Sequence, residues 1–166
     1  LLQKWPDLRV IIVGDNEDGY GVKHSSGLPL RKVLLDELSP HLDLDRLHFL
    51  GRIPYEQLIA IMQISWVHIY LSFPFVLGWS LLEAMACGCA IVGSEGMPVS
   101  EVIQHGVNGL LVPMNDISAL ESRISTLLSD KSLRKRLGQS ARETALAYDS
   151  SNTLPKLASL IHSFAP

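Results

Sequence analysis

Glu83 is the residue whose surroundings most strongly suggest chemistry, because it is the single Asp, Glu, Lys or Arg between Gln57 and Ser94. An ionised carboxylate in so apolar a stretch is almost always paired or hydrogen-bonded, since desolvating it alone is costly. Glu83 therefore either bonds to backbone or to a basic residue of another element, or it receives a ligand that offers hydroxyl groups. The sequence alone leaves both interpretations open.

Three residues shortly before Glu83 could hold a charged ligand beside it. Gly78, Trp79 and Ser80 stand at the predicted start of a helix, where N–H groups and about half a positive charge suit a diphosphate. Glu83 would lie about one turn further along, where a carboxylate can accept from two vicinal hydroxyls, such as those of a ribose. A plain helix start, with Ser80 near the cap, explains the same residues equally well.

Four other polar residues are weaker candidates. His68 lies in a predicted strand, where a histidine is more often a hydrogen-bonded core residue than a base. Glu101 follows the fourth predicted strand, but capping or solvent exposure explains it better. His24 and Asp15 stand at suitable edges without an obvious partner. Because the sequence has no Ser-His-Asp order, metal-ligand cluster or Walker loop, we expect no metal and no cofactor.

The two cysteines carry no predicted chemistry. Cys87 and Cys89 are two residues apart with nothing to complete a site, which fits neither zinc nor a thioredoxin-like pair. They are expected to be small buried apolar residues of a protein in a reducing compartment.

Size and charge limit the classes of partner. A chain of 166 residues and 18.3 kDa is one domain of ordinary size. A net charge of -3 and a pI of about 6.1 give no long-range attraction for nucleic acid, so we expect no nucleic-acid partner. The mean hydropathy of +0.21 is high for a soluble domain and suggests that one face meets another domain.

Apolar runs and turn residues predict strands that alternate with helices. The predicted strands cover residues 9–13, 47–50, 67–71, 90–93 and 110–112, and the predicted helices cover 30–38, 55–64, 78–87, 99–104, 116–128, 131–148 and 154–164. This pattern is typical of an open parallel α/β sheet with helices on both faces. Residues 16–29 form a long predicted loop between them.

The uncharged stretch around Glu83 is not expected to cross a membrane. Polar residues and a proline interrupt it every few positions, at Gln63, Ser65, His68, Ser72 and Pro74. The first residues do not resemble a signal peptide. Because the sequence opens as if within a helix, we expect it to be part of a larger protein.

Ligands of open α/β sheets bind beyond the carboxyl ends of the strands, near helix N-termini. In this sequence that rule selects four places, which are Gly14-Asp15, Gly51 to Pro54, Ser72 to Ser80, and Ser94 to Ser100. The third place contains Gly78 and leads to Glu83, so it is the most informative.

The stretch from Leu47 to Val112 closely resembles a known family. It contains, in order, LHFLGRIPYEQL, HIYLSFPFVLGWSLLEAMACGCAIVGS and PVSEVIQHGVNGLLVP. This succession resembles the C-terminal domain of the family-four retaining nucleotide-sugar glycosyltransferases (glycosyl transferases group 1), which have the GT-B fold. The resemblance extends over nearly the whole chain. It implies that residues 1–166 are the nucleotide-sugar-binding C-terminal domain of a two-domain protein, with its first strand missing.

The resemblance assigns roles around Glu83. The family's E-x7-E motif falls on Phe75 to Glu83, and its second glutamate, which holds the donor's ribose, matches Glu83. Gly78, Trp79 and Ser80 match the segment whose backbone meets the diphosphate and the sugar.

The resemblance also assigns roles in the first part of the chain. Gly51, Arg52 and Ile53 match the loop that lies against the nucleotide base, and Gly14 matches the glycine that ends the strand beside the donor. No residue of this chain is implied to be catalytic.

The sequence departs from the family in two ways. Phe75 replaces the first glutamate of the motif, while Val76 and Leu77 offer only backbone groups to the donor sugar. Phe75 either shapes the donor pocket or simply fills the core. The Arg and Lys that neutralise the donor phosphates in this family are expected upstream of Leu1.

The activity that the resemblance implies is transfer of a sugar from a nucleotide-diphosphate donor, such as a UDP- or GDP-sugar, to an acceptor with retention, in polysaccharide or glycoconjugate biosynthesis. The implied partners are the nucleotide sugar and the protein's own N-terminal acceptor domain, without which this chain is expected to be inactive. The full-length enzyme is expected in the cytoplasm, where it can associate peripherally with the inner face of the membrane. Two alternatives stay open, half of a GT-B nucleotide-sugar epimerase and a non-catalytic nucleotide-binding or interaction module.

Overall fold

The chain forms an α/β protein of two compact units. The structure is a computed structural model that describes residues 1–15, 24–41, 43–73 and 76–164. One unit spans Leu1–Leu58, and the other begins at Ile59.

The first unit is built on a pair of parallel strands. Strand β1 is Val10–Val13 and strand β2 is Leu47–Gly51, and Val10 is aligned with Leu47. Helix α1 (Leu30–Leu38) and two short 3-10 turns (Ser39–His41 and Leu44–Arg46) lie between the strands in sequence, and helix α2 (Tyr55–Ile64) begins after β2. The predicted strands and helix bounds are therefore confirmed here to within a residue.

Arg46 ties the beginning of the chain to this unit. Its Nη1 donates hydrogen bonds to the carbonyls of Leu2, Trp5 and Pro6 at 2.9, 3.0 and 3.0 Å. Its Nε donates to the carboxylate of Asp43 at 2.7 Å, and this hydrogen bond lowers the pKa of that carboxyl group. One guanidinium thus satisfies three carbonyls that no strand or helix takes up.

Helix α1 has an apolar face, and that face is largely exposed. Leu30, Leu34 and Leu38 share one face of the helix as the spacing predicts, but they are 44, 44 and 42% exposed. No described residue of the first unit is buried, so among those residues this face is not part of a core.

The second unit holds a three-stranded parallel sheet and the core. Strands β3 (Val67–Tyr70), β4 (Ala90–Ser94) and β5 (Leu110–Val112) pair in that order, with β4 in the middle. All five residues of β4 are buried, as expected for a central parallel strand covered on both faces. Its helices are α3 (Trp79–Ala86), α4 (Val99–Val102), α5 (Ile117–Ser129), α6 (Lys131–Leu146) and α7 (Ser150–Ser163).

Side-chain caps set the starts of the later helices. The carboxylate of Asp116 accepts a hydrogen bond from the Ala119 N–H, and that of Asp130 accepts from the Leu133 N–H. Helix α7 begins at Ser150, four residues before the predicted start, because Asp149 caps it by accepting from the Ser151 N–H. Pro155 consequently lies inside the helix and not in its first turn.

The single five-stranded sheet is not seen among the described residues. Their strands form two parallel sheets, β1-β2 and β3-β4-β5, so β1 and β3 each pair with one strand. The predicted α/β class, with five strands in parallel sheets and helices between them, is confirmed. Among the described helices, none is both long and apolar enough to cross a membrane.

Candidate functional site

The loop that follows β3 is fixed to the end of β4 by a fully buried serine. The hydroxyl of Ser94, which is 0% exposed, accepts a hydrogen bond from the Ser72 N–H at 3.0 Å and donates to the Ser72 carbonyl at 2.9 Å. A hydroxyl suits this position because its single oxygen offers both a donor and an acceptor. The two strand ends are therefore held together where the chain leaves the sheet.

The start of α3 is held by a tyrosine at the end of β3. Gly78 is the N-cap residue, no side chain caps the helix, and the Gly78 N–H donates to the Tyr70 hydroxyl at 2.8 Å. A Cβ at Gly78 would lie 2.9 Å from that hydroxyl, so any other residue here would force the Tyr70 side chain to shift. Sequence reasoning missed Tyr70, since nothing in the strand pattern shows which way its hydroxyl reaches.

The first turn of α3 leaves backbone donors for a ligand. Trp79 and Ser80 occupy its first two positions, whose N–H groups have no acceptor within a helix. Trp79 is 79% exposed and Val76 is 71% exposed, while Leu77 and Ser80 are half-buried. The Gly78 N–H predicted to face a diphosphate is already bonded to Tyr70. Phe75 lies outside the described residues.

Glu83 lies one turn into α3, where buried residues flank it. Leu81, Ala84 and Met85 of the same helix are each 0% exposed, and Glu83 itself is half-buried. Within the described parts of the chain, the Glu83 carboxylate has no hydrogen bond or ion pair. The alternative in which backbone or a basic residue satisfies this carboxylate is therefore not observed among those residues.

A second group of predicted residues meets at the strand ends of the first unit. Gly14 follows β1 and Gly51 ends β2, and the Gly14 N–H donates to the Gly51 carbonyl at 3.0 Å. Both glycines have a positive φ, 148° and 67°, which side chains rarely adopt. Directly beside them, Arg52 Nη2 contacts the Asp15 carboxylate at 2.6 Å, and Ile53 is half-buried. Asp15 thus has a partner that the sequence did not indicate.

The weaker candidates have ordinary structural surroundings. Burial lowers the pKa of His68, which favours the neutral imidazole, as expected of a core histidine. His24 hydrogen-bonds to the Ser26 hydroxyl at 2.8 Å, and Glu101 is exposed. In the described parts of the chain no three His, Cys, Asp or Glu side chains cluster as metal ligands would.

The cysteines are buried to different degrees and are both free. Cys89 is 1% exposed, its thiol donates to the Met62 carbonyl at 2.9 Å, and burial raises its pKa to about 12. Burial also raises the pKa of Cys87, which is half-buried. Neither thiol is activated for nucleophilic attack.

Parallel strands followed by helices, with glycines and polar groups at the strand ends, define a Rossmann-like α/β protein. The sequence matches the family described as glycosyl transferases group 1 over residues 1–144, and the chain belongs to that family. The fold matches solved GT-B glycosyltransferases, which confirms the predicted fold class.

Two of the relatives are about a third identical to this chain over most of its length. It is 33% identical over 138 residues to N-acetyl-alpha-D-glucosaminyl L-malate synthase of Bacillus anthracis, covering 83% of the chain and 32% of that protein. It is 31% identical over 166 residues to D-inositol 3-phosphate glycosyltransferase of Corynebacterium urealyticum, and this match covers 98% of the chain and 37% of that protein. The chain thus spans about a third of the length of these curated relatives.

The structure is similar to that of HepE from Anabaena, which was solved in complex with UDP. The TM-score is 0.82 at 23% identity, and the match covers 96% of this chain and 42% of HepE. At this identity the similarity concerns the fold.

Proposed function

We propose that this chain binds the nucleotide-sugar donor of a retaining glycosyltransferase whose acceptor domain lies outside these 166 residues. Membership of glycosyl transferases group 1 supports transferase chemistry, and the UDP complex of HepE supports a uridine nucleotide as the first ligand to test. The whole enzyme would move a sugar to an acceptor with retention. This chain alone is expected to bind the donor without transferring the sugar.

Glu83 carries the proposal. Glu83 is half-buried beside core residues of α3, and its carboxylate has no hydrogen bond or ion pair with a described residue, so both oxygens can accept from a ligand. Two vicinal ribose hydroxyls can donate to its two oxygens, and hydrogen bonds to a charged acceptor contribute about 1.5–3 kcal/mol each. A carboxylate with only a structural role would be stabilised more by a hydrogen-bond or ion-pair partner within the fold.

The start of α3 is the proposed phosphate-binding element. The N–H groups of Trp79 and Ser80, together with the positive end of the helix dipole, can stabilise the charge of a departing diphosphate. Val76 and Leu77 can contribute backbone groups near the donor sugar, and Phe75 takes the position of the family's first glutamate. No metal is assigned a role in this proposal.

The base of the donor is assigned to the strand ends of the first unit. Gly14, Gly51, Arg52 and Ile53 would lie against the nucleobase, as the family resemblance implies. The remaining charge on the phosphates would be neutralised by cations of the full-length protein outside this chain.

A thermal-shift panel of UDP, GDP and ADP and their sugars tests the proposal. At least one nucleotide is expected to raise the melting temperature of the wild-type chain, because a ligand that binds only the folded state stabilises it. In Glu83→Ala that shift should fall sharply. The matched control is Glu121→Ala, which removes the same group from the exposed surface of α5.

Two outcomes would contradict the proposal. If no nucleotide stabilises the wild-type chain, the chain is a non-catalytic interaction module. If Glu83→Ala responds like wild type, the ribose role of Glu83 is wrong. An epimerase half would bind the same nucleotides, so it is distinguished in the full-length protein by conversion of the free nucleotide sugar in the absence of an acceptor.

A further inference from the structure

The start of α3 offers two backbone donors in a row. The Gly78 N–H donates to the Tyr70 hydroxyl at 2.8 Å, and the Leu81 N–H donates to the Gly78 carbonyl at 3.2 Å. Between these two bonds, the N–H groups of Trp79 and Ser80 have no acceptor among the described residues. Adjacent N–H groups at the positive end of a helix can each donate to an oxygen of one phosphate group.

Tyr70 reaches this helix start from a rigid strand end. It is the last residue of β3 and is aligned with Gly93 of β4, a strand whose five residues are all buried. Two residues further on, the buried Ser94 hydroxyl bonds to both the N–H and the carbonyl of Ser72. The backbone is therefore held on both sides of the half-buried tyrosine, and its hydroxyl links the sheet to α3.

The fit between Tyr70 and Gly78 depends on the hydroxyl group. A Cβ at Gly78 would lie 2.9 Å from the Tyr70 hydroxyl oxygen, but 3.7 Å from the ring atom Cε2 and from the Ser80 hydroxyl. The φ of Gly78 is -74°, which any residue can adopt. The contact with the hydroxyl, and not the backbone conformation, therefore disfavours a side chain at Gly78.

We infer that Tyr70 is a positioning residue for the diphosphate of the donor. Its hydroxyl occupies the Gly78 N–H, so a phosphate is directed to the N–H groups of Trp79 and Ser80. This inference rests on the proposed function. A phosphate that could also bond to the Gly78 N–H would have alternative positions, whereas two donors on a fixed helix start define one. Donors that are already ordered lower the cost of binding.

Calorimetric titration with a nucleoside diphosphate and its own nucleoside tests the inference. The diphosphate is whichever of UDP, GDP and ADP binds the wild-type chain most tightly, and the nucleoside lacks the phosphates. Wild type should bind the diphosphate at least about tenfold more tightly than the nucleoside. In Tyr70→Phe this ratio should fall about fivefold, because the Gly78 N–H is no longer occupied and the helix start is no longer held.

A second variant changes the same contact from its other side. Gly78→Ala places a Cβ 2.9 Å from the Tyr70 hydroxyl oxygen, so it should also lower the ratio. When Gly78→Ala is added to Tyr70→Phe, the clashing oxygen is absent. The ratio of the double variant should then stay within about twofold of that of Tyr70→Phe. The matched control is Tyr148→Phe, which removes a phenolic hydroxyl from an exposed residue of the same unit and should leave the ratio unchanged.

The possible failures can be told apart. A merely structural role for Tyr70 would lower the melting temperature of Tyr70→Phe without changing the ratio, and it would overturn the inference while the ribose role of Glu83 stands. Tighter diphosphate binding by Tyr70→Phe would also overturn it. If wild type binds diphosphate and nucleoside equally, the inference fails together with the phosphate role of α3. If none of the three diphosphates binds wild type, the whole proposed function fails as well.

Discussion

The two units of this chain hold their strands by different means. In the second unit every residue of β4 is buried, and the largest core side chains pack around it. In the first unit, Ile11 and Ile12 of β1 are 40 and 42% exposed, and polar contacts such as those of Arg46 hold the segments together.

That difference separates two kinds of candidate residue. Glu83 is carried by a helix anchored in the core, so it is fixed without needing a partner of its own. Arg52 stands on a unit in which no described residue is buried, and its guanidinium contacts the Asp15 carboxylate. A preorganised group on a rigid element can hold a ligand hydroxyl at low cost, whereas an exposed one needs a neighbour to position it.

The largest effect is expected from removing a core side chain of α3. Leu81 is 0% exposed, so Leu81→Ala should lower the free energy of unfolding by about 2–5 kcal/mol, the cost of lost burial plus a cavity. Leu34→Ala is the matched change in the first unit, where Leu34 is 44% exposed, and should cost less than about 1 kcal/mol. Urea unfolding followed by circular dichroism measures both. Equal losses in the free energy of unfolding for Leu81→Ala and Leu34→Ala would show that the two units do not differ in how far burial stabilises them.

A smaller effect is expected from a buried polar residue near β5. Asn108 is 4% exposed, and its side chain accepts from the Gln104 N–H at 2.7 Å and donates to the Val102 carbonyl at 2.9 Å. Asn108→Ala leaves both backbone groups without that partner and should cost about 1–3 kcal/mol in the same assay.

The control for this change is Asn152→Ala. The exposed Asn152 side chain donates one hydrogen bond to the Leu146 carbonyl at 2.8 Å, and water can replace that contact. The control should therefore cost less than Asn108→Ala, and a reversed order would contradict the importance assigned to the buried network.

The smallest effect concerns the pH dependence of the second unit. Because burial raises the pKa of Cys89 to about 12, the folded state keeps the thiol proton after the unfolded state begins to lose it near its ordinary value. The thiol's contribution to the free energy of unfolding is complete at pH values below the pKa of the thiol in the unfolded state. It is lost as pH rises toward the pKa of the thiol in the folded state. Between about pH 7 and about pH 9 the loss should be at most about 1 kcal/mol.

Cys89→Ala should remove part of that alkaline loss. The measurement is urea unfolding at the two pH values, compared with Cys87→Ala, whose effect on the slope should be smaller because Cys87 is only half-buried. An unchanged pH slope in Cys89→Ala would show that its thiol does not contribute.

Local sequence signals predicted most elements well. Helix α1 and strand β5 were predicted with the bounds that the structure shows. Gly88 lies just past α3 with a φ of 79°, a conformation that favours glycine. These features depend on a few consecutive residues, which a single sequence contains.

Features that depend on distant contacts were not predictable. The Asp149 cap outweighs the preference of Pro155 for a first turn, so α7 begins early. The contact between Asp15 and Arg52 and the Tyr70 hydroxyl on Gly78 need strand pairing and side-chain direction that no local pattern shows. Periodicity placed the α1 leucines on one face but could not show whether anything covers it.

The ribose role of Glu83 is tested most directly by comparing UDP with 2′,3′-dideoxyuridine diphosphate on wild type and Glu83→Ala by calorimetry. The wild-type chain should bind UDP at least about tenfold more tightly than the dideoxy compound, because the carboxylate then loses its hydroxyl donors. In Glu83→Ala the two compounds should bind within about threefold of each other. An equal preference for UDP in both proteins would contradict the account.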